Sequence, residues 1–431
     1  MSRNTLAIGD RRFGQLLGED SAESSVSLER TSEGIVLTVW WPSSDSGSFV
    51  GWFRSSRDFP SSVDEPEPVP PRRLTFRDAR GVVGLLGCHK GGYTTNLGGP
   101  GTGRVLVQEA VFGAPAPVDF DSVAGLRSTV SHLRSWVRAH SWVHEENSSG
   151  ALAYRKELSE DIDLGVWGGM RMALQPVAIV KEPIDPDEIT LGSSLWVQTT
   201  TTEPAEWATH LRAPKALRDL LVISAWSDEN VITYSVLHPE DKVFGTRPTW
   251  RLVASSRVRD DPPFAERRHL VTYEELGIRG LRQWFELRDR FQRAIDPIVS
   301  SISLRSASPA AVLAQVGPGL EALGYELLQR DGMGSKEASG VSFAGRARRI
   351  LDDIGDLLPF ESAGWDDRAA SVYNGIKHAN RQLPDDLQIL NVERECTLIV
   401  RAWCAQELGV DSSVLRERLR EDPQAAPWVV A

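Results

Sequence analysis

The chain has 431 residues, of which 41% are hydrophobic and 25% charged, which suits two or three globular domains and excludes a disordered polymer. A formal net charge of −11 argues against a protein that coats nucleic acid generally, although a small basic patch is enough for a short RNA site. Three cysteines imply no disulfide framework and a reducing cytoplasm, the polar N-terminus has no signal-peptide core, and no apolar run reaches the roughly 18 residues that would span a membrane.

The first half of the chain is written as strands. Ser25–Arg30 and Ile35–Trp41 flank a turn at Ser32-Glu33-Gly34, and Arg73–Phe76 and Val82–Gly87 flank a second at Asp78-Ala79-Arg80-Gly81. The stretch 55–71, rich in serine, proline and acid, and the glycine-rich stretch 91–103 are expected as loops. Arg104–Val111 follows as one strand, then Ser122–Val130 as another, with a short helix at Leu133–Val137. The β-branched run from Ile189 to Thr199 predicts a strand, and 204–226 a helix with a proline near its first turn. Val231–Val236 and Trp250–Val253 end the β-rich part.

From Thr272 the periodicity becomes helical. Thr272 and Glu275 have the spacing of a capping box, and Leu281, Trp284, Phe285 and Leu287 follow at helical intervals. Further helices are expected at 308–329, 342–357, 365–383, 387–409 and 411–421, the Cys396/Cys404 pair being core residues. The expected fold class is α+β, with a β-rich domain over 1–265 followed by an all-α bundle over 266–425.

One helix has chemistry on it. In 365–383, Trp365, Ala369, Val372, Ile376, Ala379 and Leu383 form an apolar stripe, while Asn374, Lys377, His378 and Arg381 collect on the opposite side at about 100° per residue. An imidazole, an amide and two cations together are able to move protons and stabilise phosphate charge, or are simply a solvated face. Arg346, Arg348 and Arg349 make the densest basic cluster of the helical half. They suit RNA phosphates, or pairing with Asp352, Asp353 and Asp356 at helical spacing. No metal site is expected, because those aspartates have no histidine near them and Cys88-His89 has no second pair at zinc spacing. The Gly98–Arg104 run lacks the Lys-Ser/Thr ending of a phosphate loop and leads into a strand, so no cofactor is expected there. The fourteen tryptophans are read as core and interface anchors.

Tyr373-Asn374-Gly375-Ile376-Lys377-His378 and the helices around it resemble a HEPN domain, a bundle whose signature is an Arg four to six residues before a His. Val82–Gly87, Phe120–Val123 and Leu133–Trp136 look like the N-terminal domain that precedes HEPN in ApeA-type anti-phage proteins, and Leu281–Phe285 fits its helical entry. The resemblance implies a metal-independent ribonuclease toxin of abortive infection, dimeric through the helical domain. Its expected partners are RNA, tRNA included, and a phage-derived trigger, with no membrane. His378, Asn374 and Lys377 would then be catalytic, and Arg381, Arg346, Arg348 and Arg349 would bind RNA. The chain departs from the signature at Tyr373, which stands where the family has its arginine. Arg368 is ten residues before His378, outside the signature's window and turned from it by roughly 80° on an ideal helix. Two other readings stay open: a non-catalytic HEPN module for dimerisation or RNA binding, and a ligand-binding β-domain with a helical oligomerisation tail.

Overall fold

A computed structural model describes residues 4–18, 25–42, 48–53, 69–94, 100–146, 152–181, 189–243, 246–256, 267–304 and 306–429. In chain order its β-rich part runs β1 (Arg11–Leu17), β2 (Ser25–Thr31), β3 (Gly34–Trp41), α1 (Ser48–Phe53), β4 (Arg73–Asp78), β5 (Gly81–Leu86), β6 (His89–Thr94), β7 (Gly101–Val107), β8 (Glu109–Phe112), β9 (Ser122–Val130) and α2 (Leu133–Val137). It continues with β10 (Trp142–Glu146), β11 (Leu152–Lys156), β12 (Ile162–Trp167), β13 (Met170–Lys181), β14 (Thr190–Glu206), α3 (Trp207–Ala225), β15 (Val231–Val243) and β16 (Arg247–Ser255). The helical part holds α4 (Tyr273–Arg290), α5 (Gln292–Ser301), α6 (Pro309–Arg330), α7 (Ser335–Gly340), α8 (Phe343–Ile354), α9 (Trp365–Lys377), α10 (Asp386–Glu407) and α11 (Ser412–Arg420).

Fourteen strands form one sheet, ordered β12-β13-β14-β9-β15-β16-β8-β5-β4-β1-β2-β3-β7-β6, with antiparallel pairing throughout. β10 and β11 make a separate hairpin. The sheet has two lobes with different partners. Around β1–β8 the inward residues, among them Leu28, Leu37, Phe76, Leu85 and Val105, close on each other and on Phe49 and Phe53 of α1. The β12–β16 lobe instead packs one face against α3, and its core runs without a break from Leu195 and Val197 through Leu217 and Leu221 to Trp284, Leu320, Trp365 and Trp403 of the helices. The α+β class with strands first and helices after is therefore the observed one.

Several boundaries differ from expectation for visible reasons. Arg104–Val111 is not one strand: Gln108 separates β7, which pairs with β3 and β6, from β8, which pairs with β5 and β16. The 204–226 helix begins only at Trp207, because β14 runs on through Pro204 to pair Ala205 and Glu206 with β9. Of the two expected loops, 54–68 and 95–99 lie outside the described residues. The rest of the glycine-rich stretch is strand, where Gly101 and Gly103 leave room for the Trp41 and Phe53 rings. Helix 342–357 ends as a single 3-10 turn over Gly355–Leu357, and helix 365–383 stops at Lys377.

The capping box is formed. The Thr272 N–H donates to Glu275 Oε2 (3.1 Å) and the Glu275 N–H to Thr272 Oγ1 (3.4 Å). Thr272→Ala should cost about 1 kcal/mol of stability, read as a shifted urea midpoint at unchanged slope. A larger loss would mean that Thr272 does more than cap.

Candidate functional site

α9 begins at Gly364, which takes the left-handed conformation (φ 69°), and carries Asp366 and Asp367 in its first turn, where the positive end of the helix dipole favours them. Trp365, Ala369, Val372 and Tyr373 are buried, and the Trp365 indole N–H donates to Glu395 of α10 at 2.7 Å. The far end is set by a tertiary contact. A Cβ on Gly375 would lie 2.7 Å from the Pro384 ring and 2.8 Å from the Gln382 carbonyl, so only glycine lets the chain fold back this closely. The turn ends the helix. His378 is extended (φ −121°, ψ 115°), its N–H bonds the Asn374 carbonyl at 3.0 Å, and the Arg381 N–H bonds the His378 carbonyl at 2.9 Å.

The expected single helix face is thus corrected. Asn374 and Lys377 are on the last turn, while His378 and Arg381 belong to the reversal after it, and Ala379 and Leu383 leave the apolar stripe to become exposed. The backbone nonetheless keeps the four positions close, because His378 bonds back to Asn374 and the 378–381 turn bonds Arg381 back to His378. Lys377, His378 and Arg381 are exposed and Asn374 half-buried. Among the described residues no carboxylate reaches ion-pair distance of Lys377, His378 or Arg381. The Lys377 ammonium instead lies 5.2 Å from the centre of the Tyr373 ring.

Tyr373 points into the bundle. Its ring lies in the space left by the missing side chain of Gly317 and is 4.8 Å from the Phe343 ring. Burial pushes its phenol up to about 12, so it stays neutral and acts as a core aromatic. Arg368, the nearest upstream arginine, is bound to Glu395 at 3.4 Å.

The arginine cluster is not brought to this place. Arg349 pairs with Asp331 and with Asp353 (2.7 Å), the latter being the i,i+4 pair expected from spacing. Both partners raise its already high pKa further, with the Asp331 hydrogen bond contributing most. Arg348 pairs with Asp366 and lies 3.7 Å from Asp367. Arg346 donates to the Ala338 (3.2 Å) and Ser339 (3.0 Å) carbonyls and lies over the Tyr325 ring. Arg348 therefore sits at the first turn of α9 and His378 beyond its last, roughly 18 Å of helix apart. Of the residues expected to bind RNA, Arg348 and Arg381 thus lie at opposite ends of α9, and Arg348 and Arg349 are neutralised within the chain.

Among the described residues no group of three or more His, Cys, Asp or Glu side chains is arranged to hold a metal. Burial pushes the Cys88 thiol up to about 12, which disfavours the thiolate that metals bind. One half-buried titratable group had no expectation attached to it: Glu393, in the Glu393-Arg394-Glu395 run of α10. Its signal was there, since three consecutive charges in a long apolar helix must find partners or a cavity.

A family model, ApeA N-terminal domain 1, matches residues 28–284, more than half of the chain. The chain belongs to the ApeA N-terminal domain 1 family. That places it with anti-phage defence proteins. No curated protein and no solved structure matches it. The ApeA N-terminal domain match starts inside β2 and runs past residue 265 to Trp284 in α4. Packing accounts for that reach: the Trp284 indole N–H donates to the Ala216 carbonyl of α3 at 2.7 Å, and Phe285 stacks on Trp167 of β12 at 4.8 Å. No described helix is long and apolar enough to cross a membrane.

Proposed function

We propose that this ApeA-family chain is a HEPN-type, metal-independent endoribonuclease of anti-phage defence, working in the cytoplasm, with its reacting groups at the end of α9. The observation that carries this reading is the charge pattern there. Lys377, His378 and Arg381 stand open and, among the described residues, without a carboxylate partner, whereas Arg348, Arg349 and Arg368 of the same helical region are ion-paired. RNA would be cut by attack of a 2′-OH on the adjacent phosphate. His378 would move the proton, and Lys377 and Arg381 would stabilise the charge that builds on phosphorus oxygens. Asn374, half-buried on the last turn, would orient the phosphate. A second copy facing the first across the helical region would complete the site, and the ApeA N-terminal domain would sense the phage product.

Tyr373 supports a different reading, in which the helical region is a non-catalytic dimerisation or RNA-binding module. A buried aromatic stands where the HEPN signature has arginine. One experiment separates the two. Induced wild-type chain should arrest growth and fragment cellular RNA, tRNA included, and His378→Ala, folded equally well because the side chain is exposed, should lower cleavage at least about a hundredfold. Equal RNA integrity with the two chains would end the catalytic reading and leave the module.

A further inference from the structure

A cavity of about 650 Å³ lies between the end of α3, the α5–α6 connection, α10 and the C-terminal segment 423–428. Its walls include Trp226, Ile302, Leu304, Val312, Leu390 and Trp428. The volume is that of a small-molecule site. The C-terminal segment is tied over it. Asn391 on α10 clasps Trp428 by both amide atoms, accepting its N–H (2.8 Å) and donating to its carbonyl (3.0 Å), and Arg394 donates to the Gln424 and Ala425 carbonyls. Trp226 is held in the left-handed region (φ 49°), a strained conformation for a bulky residue, where it is part of the wall.

Glu393 and Arg394 are the only charged side chains on the described walls. Their charges do not cancel each other. Arg394 is paired with Glu395 at 3.3 Å, and Glu395 also takes Arg368 and the Trp365 indole, so that carboxylate has its partners. Glu393 has no ion-pair partner among the described residues. Burial pushes its carboxyl up to about 7, with Arg394 and the Thr397 hydroxyl opposing that rise only in part. An acid without an ion-pair partner in an aromatic-walled cavity is poised to gain a counter-charge.

We propose that this cavity binds a small organic cation, a flat or apolar body carrying an amidinium or ammonium group that pairs with Glu393. The body lies against the Trp226 and Trp428 indoles and the aliphatic wall, and the cation gives Glu393 the direct ion pair that Arg394, paired with Glu395, does not make. The site joins the last helix of the ApeA N-terminal domain's core to the helical region, so an occupant touches both. Its existence does not depend on nuclease activity.

The test uses the full chain and two probes of one shape, benzamidine and its neutral counterpart benzamide, followed by titration calorimetry at pH 6 and pH 8. Benzamidine should bind, and about tenfold more tightly at pH 8, where Glu393 is ionised, than at pH 6. Glu393→Gln should weaken benzamidine at least tenfold and erase the pH difference. Benzamide should bind both chains equally weakly. Val312→Trp, which fills the cavity but keeps the carboxyl, should abolish benzamidine binding and serves if the glutamine variant does not fold. Unchanged benzamidine binding in either folded variant, or no heat with wild-type chain up to about 10 mM, overturns the proposal.

Discussion

Arginine at position 373 should unfold the helical region and fail to create a nuclease. Restoring the signature residue is the obvious experiment on a chain whose HEPN-like motif lacks it, and the environment of Tyr373 says what will happen. The side chain is 4% exposed, with its ring over Gly317 and beside Phe343. A guanidinium there would have mainly apolar walls, with Glu321 near but outside hydrogen-bond distance of the present ring, and, in place of an aromatic face for Lys377, a second cation close by. Burying an unpaired charge and breaking aromatic packing together should cost on the order of 3–5 kcal/mol, a large share of the stability of an ordinary domain. Tyr373→Phe, which keeps the packing, should stay within about 1 kcal/mol. Urea unfolding of both variants reads this directly. If Tyr373→Arg is as stable as wild type and gains RNA cleavage, position 373 faces the reacting site after all, and the orientation of α9 described above is wrong.

Elements set by local pattern lie where the sequence puts them, and those set by distant contacts do not. Ser122–Val130 and Leu133–Val137 are found where alternation and helical spacing put them, because both patterns are local. The Thr272/Glu275 cap is likewise a three-residue relation. What was not legible was decided by distant chain. The end of α9 depends on Pro384 crossing Gly375, and nothing in 365–383 taken alone forbids further turns. β13 was missed although it is twelve residues long, since Pro176 reads as a strand breaker. The proline is tolerated because β12 stops pairing at Leu174, which leaves β13 an edge strand from that point on. α5 was missed with an internal proline of its own, Pro297.

The candidate site follows the same division. Arg349–Asp353 was readable at i,i+4, whereas Asp331 and Asp366, which take up Arg349 and Arg348, come from other elements. By spacing alone the three arginines suit either RNA phosphates or pairing with Asp352, Asp353 and Asp356. Arg348 and Arg349 are in fact ion-paired, while Lys377, His378 and Arg381 have no carboxylate within ion-pair distance among the described residues, and a phosphate has most to gain where no carboxylate competes. Arginines already neutralised contribute little counterion release on binding RNA.

Removing Arg401 should be the most damaging single truncation in α10. The residue is fully buried, yet each of its five N–H groups has a place to go. Nη1 and Nη2 hold Asp422 by both oxygens (2.9 and 2.8 Å), Nη1 also donates to Gln424 Oε1 (2.9 Å), and Nε and Nη2 reach the Ile223 and Ser224 carbonyls at the end of α3 (2.8 and 3.4 Å). One side chain thus ties α10 to the ApeA N-terminal domain's core and to the segment that closes the Glu393 cavity. Arg401→Ala leaves the buried Asp422 carboxylate without its counter-charge, with the Gln424 N–H (2.9 Å) still donating to it, and takes a donor from the Ile223 and Ser224 carbonyls, which should cost about 3–5 kcal/mol in urea unfolding. Arg401→Met with Asp422→Leu should recover much of it, because the charge that made the single change costly goes too. The single variant should also free residues 423–428, so limited proteolysis should cut there well before the rest of the chain unfolds. A loss below about 1 kcal/mol, or cleavage no faster than in wild type, would show that α3, α10 and the C-terminal segment hold together without this arginine.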